Sequence, residues 1–439
     1  PSYIIRSMRK MFSHCLKLSY KDTAQQNSYV TIPRAANSFD NTEIAANVDE
    51  DIIDSLTGGR LVGSVTSFEN FAECPLRYYL RYGVDLKERE EFTFSPVNFG
   101  VVLHAVIREV CDEIKKNGES YYLISEEKRR EMVKRSVAAI TDIYQNSILK
   151  DSSRNSFMIK RMEDLADRTV WAMGEQLKCG DFVPFVFEHK FNMEVGDGDR
   201  KQLMSGTIDR VDICENGTDV YVRIIDYKTG KKDFNIVKTY YGIDIQLMVY
   251  MEAAMKLVAK MRPGKNVIPA GVFYYNISDP IVSATTESAE EIEDKIKGEL
   301  RLKGMVNSDK DIAEKMDNTE GTSLNIPVSR KADGGFDSRR SKVMNTEQFN
   351  ILGRFVDVRA IDTADRIAGG DIRRSPYKDG QFSSCDRCPY GAVCGFSVDL
   401  PGCNYRKLKK FDDEVLWNNI KEGVDENGKK MDTGAEERD

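Results

Sequence analysis

The sequence predicts an α/β fold: a central mixed β-sheet with helices packed against it. Three observations carry this expectation. Residues 203–213 and 220–227 read as strands on either side of Asn216-Gly217, a strong hairpin signal. Residues 98–114 place Phe99, Val102, Leu103, Val106, Ile107 and Val110 at helical spacing. An apolar helix over 240–261 is followed by another strand at 271–277, so helix and strand alternate through the middle of the chain.

The remaining elements follow from local signals. Residues 1–60 show no long period and read as an arm or the remnant of a preceding domain. Thr66-Ser67-Phe68-Glu69 has the form of a capping box and opens a helix. That helix carries Phe68, Phe71, Cys74, Tyr78, Tyr79 and Tyr82; Pro75 kinks or restarts it, and Gly83 stops it. A charged helical stretch fills about 126–178, and 185–193 reads as a strand. An acidic helix is expected over 284–302 and a polar loop over 317–340. A capped helix runs from Thr346 to Ala368, stopped by Gly369-Gly370. Beyond Trp417 the chain is charged and reads as disordered. The expected division is an arm over 1–60, one domain over 61–416 and a tail over 417–439.

Composition narrows the function classes. Lys plus Arg number 64 against 71 Asp plus Glu, a net charge of −7. Bulk charge therefore does not hold this protein on nucleic acid, and any basic groove is local. No run approaches 18 apolar residues, so no helical membrane span is expected. Pro1 to Tyr20 is charged throughout and has no apolar signal core. The chain does not begin with Met and reads as a piece of something longer.

The nine cysteines are of two kinds. Cys15, Cys74, Cys111, Cys179, Cys214 and Cys403 are scattered, while Cys385, Cys388 and Cys394 form C-x2-C-x5-C. A long chain without a signal peptide makes a disulfide framework a poor reading. The cluster reads as a zinc or iron–sulfur half-site that lacks one thiolate, and spacing does not choose between the two. Three buried thiols in a turn are the plain alternative.

The hairpin carries the chemistry. With Asn216 and Gly217 as loop residues, Glu215 faces Thr218 and Asp209 faces Ile224. Alternation then puts Asp209, Val211, Ile213, Val220, Val222, Ile224, Asp226 and Lys228 on one face. The aliphatic majority marks this face as buried, with two carboxylates and one ammonium at its open end. Diagonal neighbours sit roughly 7–8 Å apart at the backbone, so Asp209 and Asp226 can meet on one ion. Two buried anions that close resist ionisation unless a cation neutralises them. Magnesium suits the pair, because one or two carboxylates hold it and water or phosphate oxygen completes its shell. The implied chemistry is metal-assisted hydrolysis of a phosphodiester. A solvated Asp-x-Lys ion pair is the plain alternative. His104 lies off the apolar stripe of its helix, on the side of Gly100 and Arg108, as a surface histidine or a metal ligand. Gln246 and Tyr250 are spaced i, i+4 and share a helix face.

Together these residues resemble the RecB-type branch of the PD-(D/E)XK nucleases. The matching stretches are Gly100-x3-His104, Gly206-Thr-Ile-Asp209-Arg-Val-Asp212, Ile225-Asp226-Tyr227-Lys228-Thr-Gly230 and Gln246-x3-Tyr250. The resemblance implies a restriction-endonuclease-like core, with a metal (Mg2+ or Mn2+) on His104, Asp209 and Asp226. It implies a catalytic Lys228 and supporting site residues Gln246 and Tyr250. The "PD" is not literal, since Ile208 precedes Asp209. Asp212 competes for the first carboxylate, but its parity puts it on the opposite face from Asp226.

The pattern Cys74-Pro-Leu-Arg-Tyr-Tyr-Leu far upstream of Cys385, Cys388 and Cys394 is similar to iron–sulfur-stapled members. It implies Cys74 as fourth ligand of a 4Fe-4S cluster across 311 positions. Gly271-Val-Phe-Tyr-Tyr-Asn276, the segment from Leu302 to Met316-Asp317, and the run from Pro389 to Phe396 extend the likeness to the carboxy-terminal part of AddB-type helicase–nuclease proteins, over about 62–416. This implies a DNA exonuclease domain that cuts single-stranded DNA delivered by a motor during break repair. The implied partner is an AddA-type protein, and the setting is the bacterial cytoplasm, at the nucleoid. No P-loop is found: Gly423 to Lys430 has Lys430 where Ser or Thr is required. Lys231 and Lys232, directly after the site, are the expected strand contacts. Tyr78, Tyr79 and Tyr82 either stack on bases or pack around the cysteines. Two rival readings are a stand-alone iron–sulfur exonuclease of the CRISPR-adaptation type and a non-catalytic DNA-binding scaffold with zinc.

Overall fold

The computed structural model describes residues 62–87, 96–143, 153–195, 202–283, 287–400 and 403–425. The arm over 1–60 and the last residues of the tail lie outside them. The chain enters as strand β1 (Val62–Ser64) and turns into helix α1 (Val65–Glu73). Ser64 caps this helix by accepting the Ser67 N–H, so the helix opens before the expected Thr66 box. Pro75 restarts the chain as helix α2 (Pro75–Tyr78), which continues as a π-turn to Gly83. Pro at the first helical position has no amide to lose, which is why the restart is tolerated there. Helix α3 (Pro96–Lys116) matches its periodicity. The charged stretch expected as one unit is two helices, α4 (Glu126–Ile143) and α5 (Ser153–Lys178).

Strands β2 (Val183–Val195), β3 (Gln202–Asn216) and β4 (Asp219–Lys228) follow. Then come helices α6 (Ile236–Tyr240) and α7 (Gln246–Met261). The expected helix over 240–261 is broken where Gly242 takes φ 76°. Next are β5 (Asn266–Asn276), α8 (Ala289–Glu299), β6 (Lys303–Asn307), α9 (Lys310–Met316), β7 (Val343–Met344) and α10 (Thr346–Ala368). A small carboxy-terminal part holds β8 (Tyr377–Asp379), β9 (Phe382–Ser383), α11 (Gly391–Cys394), β10 (Arg406–Lys407) and α12 (Asp413–Asp425). The segment past Trp417, expected to be disordered, is helical to Asp425 because Leu416 and Ile420 are buried against the core. Among the described residues no helix is long and apolar enough to cross a membrane.

The main sheet runs β1-β3-β4-β5-β6-β7, with β2 also paired to β3. It is mixed: β2 and β4 are antiparallel to β3, and β5 is parallel to β4. Ile225 and Tyr227 of β4 join a core with α3, α4 and α5. Val222 and Ile224 join a second core with α1, α7, α10 and α12. Alternating residues of one strand thus feed opposite sides, which makes three layers, helix on sheet on helix.

The hairpin turn lies one residue later than expected, which shifts the pairing register by two. The turn is Gly217-Thr218, and Asn216 pairs with Asp219. Only the first of these, Gly217, has positive φ (59°), the pattern of a type II′ turn with glycine leading. An even slip leaves the faces unchanged, but it pairs Arg210 with Ile225 and so brings Asp209 level with Asp226. Alternation in β3 also slips once. Met204 and Ile208 share a core with Val211 and Ile213, whereas Arg210 and Asp212 face the other way. The neighbouring strand β2 is irregular at this level, with a bulge between Pro184 and Val186 and φ 48° at Glu188.

Asp212, the rival carboxylate, is structural. It is fully buried and accepts from Arg210 Nε and Nη2 at 2.7 and 2.6 Å, and from Arg223 Nε at 2.9 Å. The Arg223 guanidinium also lies 4.8 Å over the Phe182 ring. Removing one member of such a network strands buried charge. Asp212→Ala is therefore expected to lower stability by about 3–5 kcal/mol, read as a fall in the urea midpoint with little change in slope. A variant as stable as the parent would contradict this.

Candidate active site

Strand β3 changes neighbours along its length. Leu203–Ser205 pairs with β1, and Arg210–Asn216 pairs with β4. Residues 206–209 lie between, at the fork where the two neighbours part. A fork leaves backbone donors without ladder partners. The Asp209 side chain takes one of them: its Oδ2 accepts the Tyr227 N–H at 2.7 Å. Its other oxygen, Oδ1, lies 3.3 Å from His104 Nδ1, on helix α3. Glu188 Oε1 of β2 lies 3.8 Å from the same nitrogen. Gly206 is required here, since a Cβ would sit 2.7 Å from the Phe191 ring and 3.0 Å from the Tyr250 ring.

A second chain of contacts crosses from the sheet to the other helical layer. Lys228 Nζ is 2.5 Å from Asp226 Oδ2 and donates to Gln246 Oε1 at 3.0 Å. Gln246 Nε2 in turn donates to Tyr250 Oη at 2.9 Å. The expected i, i+4 face of α7 therefore points at the lysine. The amides that open α7, of Ile245 and Gln246, donate to Glu69 Oε1 of α1 at 2.9 and 3.0 Å.

The electrostatics follow from burial of like charges. Burial, then the Asp209 charge, pushes Asp226 up to about 6, against the pull of Lys228. Burial, then Asp209, raises Glu188 as well. Burial works against the His104 imidazolium, but the Asp209 and Glu188 carboxylates outweigh it and raise its pKa. Burial and the crowding of carboxylates together set these directions.

Ligand atoms of His104, Glu188 and Asp209 lie within 4.8 Å of one another. Asp226 is felt by both His104 and Glu188 and stands beside this group. One imidazole and carboxylate oxygens are a donor set for a divalent cation, and the mutual repulsion of the acids is what such an ion would relieve. Glu188 is the residue that the sequence reading missed. It lies within a run expected as plain strand, and no motif distinguishes it from a surface glutamate.

The structure also gathers the four cysteines. Cys74, Cys385, Cys388 and Cys394 line one pocket with Leu76, Leu80, Tyr390 and Phe396. The Leu76, Arg77 and Ser375 amides point at the Cys74 sulfur, the Phe396 amide at Cys394, and the Tyr405 hydroxyl at Cys385. Burial raises the Cys74 and Cys385 thiols and pushes Cys394 up to about 11. Amides aimed at sulfur fit thiolates held by a metal or cluster. The scattered Cys111, Cys179 and Cys214 lie elsewhere and do not line this pocket. Tyr78 and Tyr79 are buried, and Tyr78 packs on Phe71 and Tyr82, so this cluster serves packing beside the cysteines. Of the two lysines expected to contact DNA, Lys231 is exposed. Lys232 turns inward, 3.0 Å from Asp244 and over the Tyr274 ring.

A metal-ready acidic cluster on a strand pair, with a lysine two residues beyond the second carboxylate, defines a class of nuclease fold. Residues 63–395 match the PD-(D/E)XK nuclease superfamily, and the chain belongs to it. More particularly, it is similar to the B-type component of the ATP-dependent helicase/deoxyribonuclease of Lachnoclostridium phytofermentans, 34% identical over 399 residues, 88% of this chain and 34% of the relative. The corresponding components from Thermoanaerobacter sp. strain X514 and Clostridium acetobutylicum are 33% identical over 380 residues and 34% identical over 383 residues. Those matches cover 84% and 85% of this chain and 33% of each relative. The chain thus spans about a third of the length of the curated relatives it matches.

The raised Asp226 carries a sign that can be checked. Its folded-state pKa, about 6, exceeds the ordinary 3.8, so the folded protein holds the proton more tightly than the unfolded chain. Stability without metal therefore falls as pH rises from about 4 through 6, and the penalty persists above. Asp226→Asn is expected to raise the metal-free melting temperature at pH 8, by an amount worth about 1–3 kcal/mol, with little gain near pH 4. The same variant is expected to abolish the rise in melting temperature on adding Mg2+. A metal-free melt that drops at pH 8 would count against this electrostatic account.

Proposed function

We propose that this domain is a divalent-metal-dependent deoxyribonuclease that hydrolyses phosphodiester bonds of single-stranded DNA. The observation that carries it is the convergence of His104, Glu188, Asp209 and Asp226 with Lys228 at the fork of β3. His104, Glu188, Asp209 and Asp226 would hold the ion, Mg2+ or Mn2+. When bound, it supplies positive charge beside the scissile phosphate and acidifies water. Lys228 holds its ammonium between Asp226 and the Gln246 carbonyl oxygen. There it can orient an attacking water or stabilise the charge that builds on phosphorus. Tyr250 keeps the Gln246 amide turned so that its oxygen, and not its nitrogen, meets the ammonium. Lys231, exposed next to the site, would contact the strand backbone.

The likeness to B-type helicase/deoxyribonuclease components supports a wider setting. In it the domain works within a longer chain, beside an AddA-type helicase–nuclease that delivers the strand during end resection and recombinational repair in the bacterial cytoplasm. The four cysteines would hold a 4Fe-4S cluster, a staple between residues near the two ends of the domain. The segment from 278 to 350 adds α8, β6, α9 and β7 to the fold, which a short stand-alone exonuclease would lack.

Asp209→Ala and Lys228→Ala are each expected to reduce Mg2+-dependent cleavage of a single-stranded oligonucleotide by about 10²–10³-fold. DNA binding measured in EDTA should persist. Unchanged cleavage in both variants would sink the enzyme assignment. Protein purified without oxygen is expected to be brown, with broad visible absorption and four irons per chain. Cys388→Ser should lose the colour; a colourless, zinc-loaded parent would favour the scaffold reading.

A further inference from the structure

Helix α7 opens without a cap of its own. Its N-cap residue is Ile245, whose side chain cannot accept a hydrogen bond. Exposed helix donors need a partner, and here it comes from a distant helix. Glu69 of α1 accepts both the Ile245 and Gln246 amides on one oxygen. Gln246 is also the residue whose side chain holds Lys228. Glu69 therefore grips the backbone of the residue that grips the lysine.

The same helix leads to the cysteine pocket. Cys74 is the C-cap of α1, five residues after Glu69, and its amide bonds to Asn70 O. Arg406 bonds to Ala72 O, and the Leu76 amide to Arg373 O, so residues flanking the pocket hold this end of α1. The other end is capped by Ser64 at the end of β1, the strand that forms one arm of the fork. Helix α1 is thus a short strut between the thiols and the fork, with Glu69 on it. Lys232 and Asp244 pair beside Glu69 and complete its surroundings.

We propose that Glu69 is a positioning residue for Lys228, and that α1 makes this clamp depend on the group held by the four cysteines. The proposal rests on the nuclease reading above for its kinetic half only. It is tested by hydrogen exchange at the Ile245 and Gln246 amides together with single-turnover cleavage. Five proteins are compared: the parent, Glu69→Ala, Glu69→Gln, Cys388→Ser, and Glu69→Ala combined with Cys388→Ser.

Glu69→Ala is expected to lower the maximal cleavage rate about 10–100-fold, as a small misplacement of a catalytic group does. The DNA concentration giving half-maximal rate should hardly change. Glu69→Gln keeps the acceptor oxygen and should recover most of the rate. Protection of the two amides should fall in Glu69→Ala and in Cys388→Ser, with no further fall in the double variant. If Cys388→Ser fails to fold, the parent stripped of its metal group by a chelator takes its place. Unaltered rate and protection in Glu69→Ala at a temperature well below its melt overturn the clamp. Additive losses in the double variant overturn the link to the cysteines. A parent that cuts no faster than Asp209→Ala overturns the nuclease reading instead, and the exchange data still decide the clamp.

Discussion

The structure is organised around the crowding of acids at one point in a sheet. Asp209, Asp226 and Glu188 come from three adjacent strands and meet where β3 trades one neighbour for another. Carboxylates this close repel, and the surrounding apolar cores remove the water that would screen them. Only specific contacts keep them there. The Tyr227 amide fixes Asp209, Lys228 partly neutralises Asp226, and His104 leans toward Asp209 and Glu188. Acids gathered this closely beside an imidazole are a donor set whose repulsion a divalent cation would relieve.

The layers explain why the site needs so much chain. His104 approaches from α3 on one side of the sheet, and Gln246 and Tyr250 from α7 on the other. At the fork His104 of one layer meets Asp209, while Gln246 of the other holds the lysine that pairs with Asp226. The neighbouring charges are kept apart from it. Asp212, three residues beyond Asp209 on the same strand, is consumed by two arginines inside the opposite core. Neighbours in sequence thus take unrelated tasks because alternation sends them to different faces.

Much of this was legible in the residues. The helices over 98–114 and 346–368 were marked by apolar spacing and by a stop or cap signal, and both are present. His104, Asp209, Asp226, Lys228, Gln246 and Tyr250 come together because strand parity and i, i+4 spacing are local properties. The failures have tertiary causes. Asn216-Gly217 is a common loop pair, but only Gly217 needs positive φ here, and the turn moved one residue along. Glu69 looks like part of its own helix's capping box, yet it caps another helix far away in sequence. Glu188 carries φ 48° on an irregular strand, which no sequence pattern announces. Lys232 reads as a surface cation and is drawn inward by Asp244, whose neighbourhood exists only after folding.

The cysteine pocket has a temporal side. Cys385 follows Cys74 by 311 positions, and Cys394 comes later still. At about 5–20 residues per second, a ribosome needs roughly 15–60 s to make the intervening chain. Throughout that interval Cys74 lacks Cys385, Cys388 and Cys394, and the end of helix α1 lacks the contacts that Arg373 and Arg406 make there. The sheet can gather early, whereas the four-thiol corner closes only when the later segment, with Cys385, Cys388 and Cys394, arrives.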